Sequence, residues 1–321
     1  MQVEHLVKYY GEKLVLKDIS FSIKEGEVVG LLGLNGAGKS TTMNILTGYL
    51  SATSGTVTID GHDILSDANA AKKNIGYLPE LFSFYPEMRV NEYLDFCCDL
   101  KGFSRNRKER KAHLDAICDR VGLSHVRTRM IRNLSKGYKQ RVGFAQALIG
   151  NPKVLILDEP TVGLDPSQII EIRDLIRSAG KSSTVIVSSH ILSEIQAICD
   201  RVLVIHGGRV AAYDTPDSLA RKILSANKLV IRVQGDPEAV TAAISSAEGV
   251  ESVLQLGQKE PDAYDYRVSG KPDTDIRASV FRALAKADLP MLSTYSNELS
   301  LEDVFLNLVG EATEKEEGIA Q

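Results

Sequence analysis

A short glycine-rich segment constrains this chain more than any other, because residues 33–40 read Gly-Leu-Asn-Gly-Ala-Gly-Lys-Ser. An apolar run, residues 27–32, comes directly before it, and a helical pattern follows. Without Cβ atoms at Gly33, Gly36 and Gly38, successive backbone N–H groups can wrap around an anion. The N-terminus of the following helix points its dipole at the same place. The pattern therefore predicts a phosphate-binding loop between a buried strand and a helix.

The residues of this loop have expected roles in holding a nucleoside triphosphate with Mg²⁺. Lys39 is expected to reach the β and γ phosphates as a point charge, and the Ser40 hydroxyl to ligate Mg²⁺. The other loop residues expected to contact the nucleotide are Gly33, Asn35, Gly36, Ala37, Gly38 and Thr41. The alternative is a glycine-rich turn in an unrelated α/β protein.

Composition limits the classes of protein that this chain can be. Its 321 residues, 43% of them apolar, suffice for one large and one small packed domain. The net charge is −4, with 38 basic and 42 acidic residues interspersed, so nucleic acid is not expected as a partner. The four cysteines lack metal-site spacing and are predicted to be reduced and buried.

No segment of the sequence has the character of a membrane span or a secretion leader. No uninterrupted apolar run approaches the roughly 18 to 20 residues that a spanning helix needs. We therefore expect a cytoplasmic protein that acts on a membrane only through another polypeptide.

Short apolar runs separated by helical sequence predict an α/β core. The continuous apolarity of residues 154–157, 184–188 and 202–205 is typical of strands buried on both faces of a parallel sheet. Residues 3–6, 15–23 and 54–61 have a β pattern, whereas residues 90 to about 134 indicate a helical insertion.

A second domain is predicted over residues 227–310, after a first domain of residues 1–220. Strand and helix patterns follow one another there as βαββαβ, the order of a ferredoxin-like domain. The predicted strands are 229–233, 250–256, 264–268 and 291–296, and the predicted helices are 237–247 and 275–287. A closing helix at 301–309 and a frayed tail, residues 311–321, are expected to follow.

Two adjacent acidic residues end one of the predicted strands. Asp158 and Glu159 follow the run 154–157, an arrangement that phosphoryl-transfer sites place beside the phosphate loop. Asp158 is expected to hold Mg²⁺, directly or through water, and Glu159 to polarise the attacking water. The alternative is a surface strand end with two solvated acids.

Two further segments occur in a diagnostic order. Residues 134–141 read Leu-Ser-Lys-Gly-Tyr-Lys-Gln-Arg and open a helix, and His190 follows the strand 184–188. With them, residues 1 to about 220 resemble the ATP-binding-cassette (ABC) family, because 134–141 looks like its Leu-Ser-Gly-Gly-Gln signature. His190 looks like its switch histidine, the alternative being a structural histidine. The resemblance implies a P-loop NTPase core with a mixed sheet, an antiparallel β-subdomain and a helical subdomain at about 87–135.

The same resemblance implies roles for further residues. Tyr10 resembles the aromatic residue that stacks on adenine, with Tyr9 as the competitor and packing in the core as the alternative. Ser135 and Gly137 hold the signature positions that meet the γ phosphate of nucleotide bound by an opposing subunit. Asp165 belongs to a segment that looks like the D-loop between the two sites of a dimer. With these roles, Lys39, Glu159 and His190 would be the catalytic residues.

The sequence departs from the family pattern at three positions. Lys136 and Tyr138 replace the first glycine and the glutamine of the signature. In the segment 76–80, Glu80 stands where most members have glutamine. Glu80 could accept a water or ligate Mg²⁺, yet it brings negative charge near a phosphate, which its pKa or position must offset.

The family implies an ATPase that closes as a homodimer around two Mg-ATP and opens with ADP, driving a separately encoded integral-membrane permease. The permease would dock on residues 90–133 with Glu80, Phe82, Phe84 and Tyr85, unless these aromatic side chains pack internally. The chain resembles the branch of ATPase subunits that serves ABC-2-type exporters, which include drug, polysaccharide, lipid and gliding-motility exporters. The resemblance lies in segment 134–141, the Pro79-Glu80 pair and residues 301–305. Such a subunit is peripheral on the cytoplasmic face of the membrane.

Three other functions are alternatives to export. A soluble ABC ATPase that remodels a nucleic-acid or ribosome complex usually has two cassettes or a long coiled coil, and this sequence has neither. An importer subunit is expected to have an all-β tail, and a metabolic kinase would need a motif for its acceptor substrate. The transported compound is not specified by this sequence.

Overall fold

The computed structural model describes residues 1–189, 191–219, 228–271 and 274–296. They divide into two compact units, Met1–Pro216 and a second that starts at Asp217. His190, the predicted closing helix at 301–309 and the tail 311–321 lie outside the described residues. The domain limits drawn from the sequence stay a prediction.

The described part of the first unit contains two sheets and the helices around them. Strands β1 to β10 span Gln2–Tyr10, Lys13–Ser22, Val28–Leu32, Ser54–Ile59, His62–Asp63, Ile75–Leu78, Val154–Leu157, Thr184–Ser188, Arg201–His206 and Arg209–Asp214. Helices α1 to α7 span Lys39–Leu46, Ala68–Lys73, Val90–Leu100, Arg107–Arg120, Lys136–Leu148, Pro166–Gly180 and Leu192–Ile198. Two 3₁₀ turns, Ser124–Val126 and Ile131–Asn133, connect α4 to α5.

The main sheet has the strand order β10-β9-β3-β8-β7-β6, and all its strands are parallel except the antiparallel edge strand β10. Every residue of β3, β7 and β8 is buried, which confirms the prediction from their continuous apolarity. Because these neighbours are parallel, their carboxyl ends share one edge of the sheet. The phosphate loop follows β3, Asp158 follows β7, and Ser188 is the last residue of β8.

The smaller antiparallel sheet, β2-β1-β4-β5, packs against one face of the main sheet. Leu6 and Leu16 from this sheet, Met43 from α1 and Ile156 and Ile186 from the main sheet belong to one apolar cluster. The cluster holds the phosphate loop between the two sheets.

The predicted helical insertion is confirmed as α3 and α4, which lead into α5. The helices bury one apolar face each, with Leu94 in α3, Ile117 in α4 and Val142 in α5 at most 6% exposed. Helix α2 was missed from the sequence, because its six residues bury only Ala71 and leave no apolar periodicity to detect. All four cysteines, Cys97, Cys98, Cys118 and Cys199, are free and buried, as predicted.

The second unit has the predicted order βαββαβ. Its elements are β11 (Lys228–Gln234), α8 (Pro237–Ser245), β12 (Val250–Glu260), β13 (Ala263–Gly270), α9 (Arg277–Lys286) and β14 (Met291–Ser296). The strand order β12-β13-β11-β14 is antiparallel throughout and ferredoxin-like. The apolar sides of α8 and α9 pack on the sheet through Val240, Val280 and Tyr266. The predicted α/β core with a C-terminal α+β domain is confirmed.

Three strands of this unit are longer than the sequence predicts, and β12 differs most. β12 ends at Glu260 rather than at residue 256. Gln258 and Glu260 pair with β13 by backbone hydrogen bonds, and such bonds do not depend on apolar side chains. A polar end of a strand at the sheet margin therefore leaves no hydrophobic pattern in the sequence.

Candidate functional site

The glycines of the phosphate loop serve two different physical needs. Gly36 and Gly38 have φ angles of +81° and +111°, in the left-handed region that favours glycine. Gly33 does not share that conformation; instead, a Cβ there would lie 2.5 Å from the carbonyl oxygen of Ile205. The expectation that Gly33 supplies backbone freedom is therefore wrong, because close approach to β9 is what requires glycine there.

Lys39 begins α1 and is only 8% exposed. Its Nζ donates hydrogen bonds to the carbonyl oxygens of Gly33 at 2.7 Å and Leu34 at 3.3 Å. In the same turn, Thr42 Oγ1 donates to the Gly38 carbonyl oxygen at 2.9 Å. The positive charge is thus held over the loop backbone, beside the N-terminus of α1.

A cleft of about 400 Å³ opens above this loop. It is lined by Tyr10, Lys13, Leu14, Val15, Lys17, Leu34, Asn35, Gly36, Gly38, Lys39, Ser40, Thr41, Gly207 and Gly208. The structure places Tyr10, and not Tyr9, on this cleft, with the Tyr10 side chain 48% exposed. Of the predicted loop residues, Gly33 and Ala37 are absent from its lining.

Seven residues that line this cleft were not predicted from the sequence, and two lysines and two glycines among them are close to the loop. Lys13 and Lys17 come from β2, and Gly207 and Gly208 from the turn between β9 and β10. The Gly208 N–H donates to the Ala37 carbonyl oxygen at 3.2 Å, and the Lys17 N–H donates to the Gly208 carbonyl oxygen at 2.7 Å. No local pattern marks these positions, since only the folding of distant strands brings them to the loop. The lysines add positive charge where a triphosphate would lie.

Asp158 is buried at the end of β7, 7% exposed, and is held by Ser188 at the end of β8. Ser188 Oγ donates to Asp158 Oδ1 at 2.6 Å and accepts the N–H of Glu159 at 2.8 Å. Burial raises the pKa of the Asp158 carboxyl, the Ser188 hydrogen bond opposes that rise, and the charges of Glu80 and Lys39 add smaller effects of opposite sign. Ser188 is a site residue that sequence reasoning missed.

Glu159 has a φ angle of +47°, an uncommon backbone conformation for a residue with a Cβ. The chain therefore turns sharply after Asp158. Whereas Asp158 interacts with Lys39, Glu159 lines a second cavity of about 340 Å³ together with Glu80. Such a conformation persists only where the surrounding structure holds it, and it is frequent in active sites.

The cavity beside Glu159 brings together two of the three departures from the family pattern, Glu80 and Lys136. It is lined by Glu80, Leu81, Phe82, Phe84, Pro86, Ile131, Arg132, Lys136, Lys139, Gln140, Glu159 and Val162. Lys136 replaces a glycine of the signature, and Glu80 replaces the glutamine of the segment 76–80. The two residues thus share one cavity. Three cationic side chains, those of Arg132, Lys136 and Lys139, line the same cavity as Glu80.

The aromatic residues after Glu80 divide into packed and exposed side chains. Phe82 and Phe84 are half-buried and stack with ring centroids 4.7 Å apart, and a Cβ on Gly143 would lie 2.2 Å from Phe82 Cε1. These two pack internally, which was the alternative to docking. Leu81 and Tyr85 are 83% and 54% exposed.

The signature residues form a separate surface at the start of α5. Ser135 caps the helix by accepting the Tyr138 N–H at 3.4 Å, and a Cβ on Gly137 would lie 2.6 Å from Gln168 Oε1. A cavity of about 230 Å³ is lined by Ser135, Gly137, Tyr138, Arg141, Ser167, Gln168, Glu171 and Ile172. Within the described ranges, this cavity and the phosphate-loop cleft share no lining residue.

Asp165 is the N-cap of α6 in this structure. Its Oδ1 accepts the Gln168 N–H at 2.9 Å and the Ser167 hydroxyl at 2.6 Å. The Ser167 hydroxyl, with the Gln168 N–H, lowers the pKa of the Asp165 carboxyl. The carboxylate is engaged in capping a helix, and its contact with nucleotide stays a prediction, as do the roles of the other predicted site residues.

The donors near the phosphate loop fit a magnesium ion held mainly by its nucleotide. No group of three or more His, Cys, Asp or Glu side chains with metal-site geometry occurs in the part of the chain that the structure describes. Mg²⁺ needs only one or two protein oxygens when phosphates and water complete its shell. The buried carboxylate of Asp158 and the hydroxyl of Ser40, on the cleft, are oxygen donors of that kind.

Comparison with known proteins agrees with this geometry. A family model described as ABC transporter matches residues 16–162. The chain is 33% identical to the linearmycin resistance ATP-binding protein LnrL of Bacillus subtilis, over 97% of this chain and 98% of that protein. It is 32% identical to the bacitracin transport ATP-binding protein BcrA of Bacillus licheniformis, over 96% of each.

A solved structure has the same fold as the first unit. It is a dimeric ATP-binding cassette in a post-hydrolysis state, bound to ADP and Pi. The match has a TM-score of 0.60 and 27% identity, and it covers 67% of this chain and 97% of that one. The cassette fold predicted for the first unit is thereby confirmed.

Proposed function

The chain belongs to the ATP-binding proteins of ABC transporters, and we propose that it is the ATP-hydrolysing subunit of an ABC-2-type exporter. In this proposal two copies close around two Mg-ATP and drive a separate permease. The observation that carries it is the presence of two half-sites on one chain, the phosphate-loop cleft and the signature cavity, with no shared lining residue among those described. Each half-site needs a partner, and a second copy turned by a two-fold axis would supply both.

The residues of the cleft would bind the nucleotide by charge and by backbone N–H groups. Lys39 would leave the carbonyl oxygens of Gly33 and Leu34 for the β and γ phosphates, which are stronger acceptors. Tyr10 stands where it can stack on the base. Ser135 and Gly137 of the second copy would cover the γ phosphate with the N-terminus of α5.

Hydrolysis is assigned to the acidic end of β7. Ser40 and Asp158 would hold Mg²⁺, with Glu80 as a further candidate, and the ion when bound would neutralise charge on the phosphates. Glu159 would accept a proton from the attacking water, and His190 would donate to the γ phosphate. Loss of that phosphate would remove the bridge between the two copies and open the dimer.

Transport requires a membrane partner in this proposal. None of the helices that the structure describes is long and apolar enough to cross a bilayer. A groove of about 450 Å³ between α1, β6 and α3 offers a docking surface, with Tyr49 and Leu100 exposed by 84% and 71%. Beside them, burial lowers the pKa of Lys101 to about 8, and its Nζ donates to two backbone carbonyl oxygens.

The names of the relatives, linearmycin resistance and bacitracin transport, favour export over the remodelling of a nucleic-acid complex.

The first test concerns ATP hydrolysis by the purified chain. Lys39→Ala should weaken ATP binding and abolish hydrolysis, whereas Glu159→Gln should keep ATP binding and stop hydrolysis, since an amide cannot accept the proton of the water. Phosphate release and binding of a fluorescent ATP analogue measure the two effects. Turnover at the wild-type rate in either variant would contradict the assignment of that residue.

The second test concerns the permease. A tagged chain, expressed in its own host, should copurify with an integral-membrane protein from detergent-solubilised membranes. Leu100→Glu should reduce this copurification, while Leu65→Glu, also at an exposed leucine, should leave it intact. Vesicles containing that membrane protein should then take up bacitracin or linearmycin only with ATP if the cargo resembles that of the relatives. The absence of any associated integral-membrane protein would count decisively against the exporter.

A further inference from the structure

Glu194, in α7, carries a buried carboxylate that lines neither half-site. Its side chain is 5% exposed, and its helix is seated on the main sheet, where a Cβ on Gly30 would lie 2.3 Å from Ile195 Cγ2. Glu194 Oε2 accepts hydrogen bonds from Thr161 Oγ1 at 2.5 Å and from Ser189 Oγ at 3.1 Å. Burying a carboxylate is unfavourable without such bonds. The two hydroxyls therefore fix the position of Glu194, and Glu194 fixes theirs.

The two hydroxyls come from the two loops at the catalytic edge of the sheet. Thr161 lies two residues beyond Glu159, in the loop after β7, and Ser189 directly follows β8. Both side chains are buried, 6% and 2% exposed. Ser189 Oγ also accepts the Ile191 N–H at 3.0 Å, which shapes its own loop. Through one carboxylate, α7 holds both loops together.

A further link joins the same loops on the nucleotide side. There, Ser188 joins Asp158 and the Glu159 N–H, as described above. On the far side, Thr161 is joined to Glu194, and Gln140 Nε2 of α5 donates to the Pro160 carbonyl oxygen at 2.6 Å. Glu159 thus has its strained φ angle of +47° between two anchored points.

We propose that Glu194 is a positioning residue for ATP hydrolysis, whose carboxylate holds the loop after β7 so that Glu159 stands in its working orientation. The inference rests on the proposed role of Glu159 as the group that accepts a proton from water. Glu194 is not among the described residues that line the phosphate-loop cleft. Its loss should therefore lower kcat and leave the affinity for ATP almost unchanged.

The test removes the two hydrogen bonds separately. Glu194→Leu deletes the acceptor, and Thr161→Val deletes one hydroxyl with little change of shape. A small displacement of a catalytic group can cost about a hundredfold, so Glu194→Leu should lower kcat by about 10- to 100-fold, and Thr161→Val by less. The Kd of ATP without Mg²⁺ should stay within about twofold of the wild type, because the phosphate loop is untouched. In combination, the two changes should be no slower than Glu194→Leu alone.

Two further variants separate positioning from general damage. Glu194→Gln keeps an oxygen that accepts the Thr161 hydroxyl, and it should regain most of the kcat lost in Glu194→Leu. Ser193→Ala, at an exposed neighbour on the same helix, should behave like the wild type. If Glu194→Leu does not fold, as judged by thermal unfolding, Thr161→Val and Glu194→Gln decide the matter.

Specific outcomes would overturn this inference. They are an unchanged kcat in folded Glu194→Leu or in Thr161→Val, a parallel loss of ATP affinity, or a Glu194→Gln variant as slow as Glu194→Leu. A wild-type chain without ATPase activity would instead refute the proposed function. An active wild type whose variants are equally active would refute only the role of Glu194.

Discussion

The hydroxyl of Ser188 illustrates how one small side chain can organise a charged site. It donates to the buried carboxylate of Asp158 and accepts the backbone N–H of Glu159, so both acidic residues depend on it. A hydrogen bond to a charged group contributes more to stability than a neutral one. Removal of Ser188 Oγ would take one hydrogen bond from the buried carboxylate of Asp158 and one from the part-buried N–H of Glu159.

Ser188→Ala should therefore lower both stability and activity. We expect a loss of about 2 kcal/mol in the free energy of unfolding, the cost of a buried hydrogen bond to a charged group. ATP turnover should fall at least about tenfold, since Asp158 and Glu159 lose their common anchor. Urea denaturation and phosphate release measure the two quantities.

Ser183→Ala is the matched control for this prediction. Ser183 is also buried and precedes the other end of β8, where its Oγ donates to the Pro152 carbonyl oxygen at 2.7 Å. The control should lose about 1 kcal/mol of stability, as for a neutral hydrogen bond, and keep its turnover. Equal effects of the two serines on turnover would show that the loss comes from the fold and not from the site.

Helix α5 begins with the signature residues, and other parts of the cassette pack closely on it at its two glycines, Gly137 and Gly143. Gly137, in its first turn, leaves room for the amide of Gln168, which is the flexible end of a side chain. Gly143, further along, faces the ring of Phe82 and the side chain of Leu78. One helix therefore has a permissive and a crowded glycine, and the difference arises entirely from what packs on it.

The same substitution at these glycines should have opposite effects on stability. Gly143→Ala should lower the free energy of unfolding by about 1 to 3 kcal/mol, because the new methyl overlaps a rigid ring. Gly137→Ala should change it little or raise it by up to about 1 kcal/mol, the difference in helix propensity. Urea titrations of both variants measure this. A Gly137→Ala variant as unstable as Gly143→Ala would mean that Gln168 cannot move aside.

At the level of the complete protein, the two half-sites predict that ATP binding controls assembly. A chain that binds ATP without hydrolysing it should accumulate as the closed dimer, because the γ phosphate that joins the copies is retained. Glu159→Gln is the variant expected to do so.

Glu159→Gln with saturating Mg-ATP should have twice the mass of the single chain in multi-angle light scattering. The dimer should dissociate with ADP. Lys39→Ala combined with Glu159→Gln should prevent the dimer from forming, because ATP binding is weakened. Ser135→Arg, which places a large cation at the signature surface, should leave binding of ATP to the phosphate loop intact but block the dimer. A mass equal to one chain under saturating Mg-ATP would contradict the nucleotide sandwich.

Features that depend on consecutive residues could be predicted from the sequence alone. The phosphate loop, the buried strands of the main sheet and the βαββαβ order of the second unit depend on local backbone preference and apolar period, which neighbouring residues specify. The helical insertion followed from the same reasoning. The ends of strands were harder to predict where polar residues pair only through backbone hydrogen bonds, as at the end of β12.

The convergence of distant segments depended on three-dimensional packing alone. Ser188 and Glu194 carry no local signal, because their importance arises from the pairing of β7 with β8 and from the seating of α7. Likewise, Lys13 and Lys17 belong to β2, which is separated from the phosphate loop by β3 in the sequence, and the fold brings them to the cleft. A linear pattern reports what each residue prefers, whereas hydrogen bonds between loops exist only once the sheet has set their spacing.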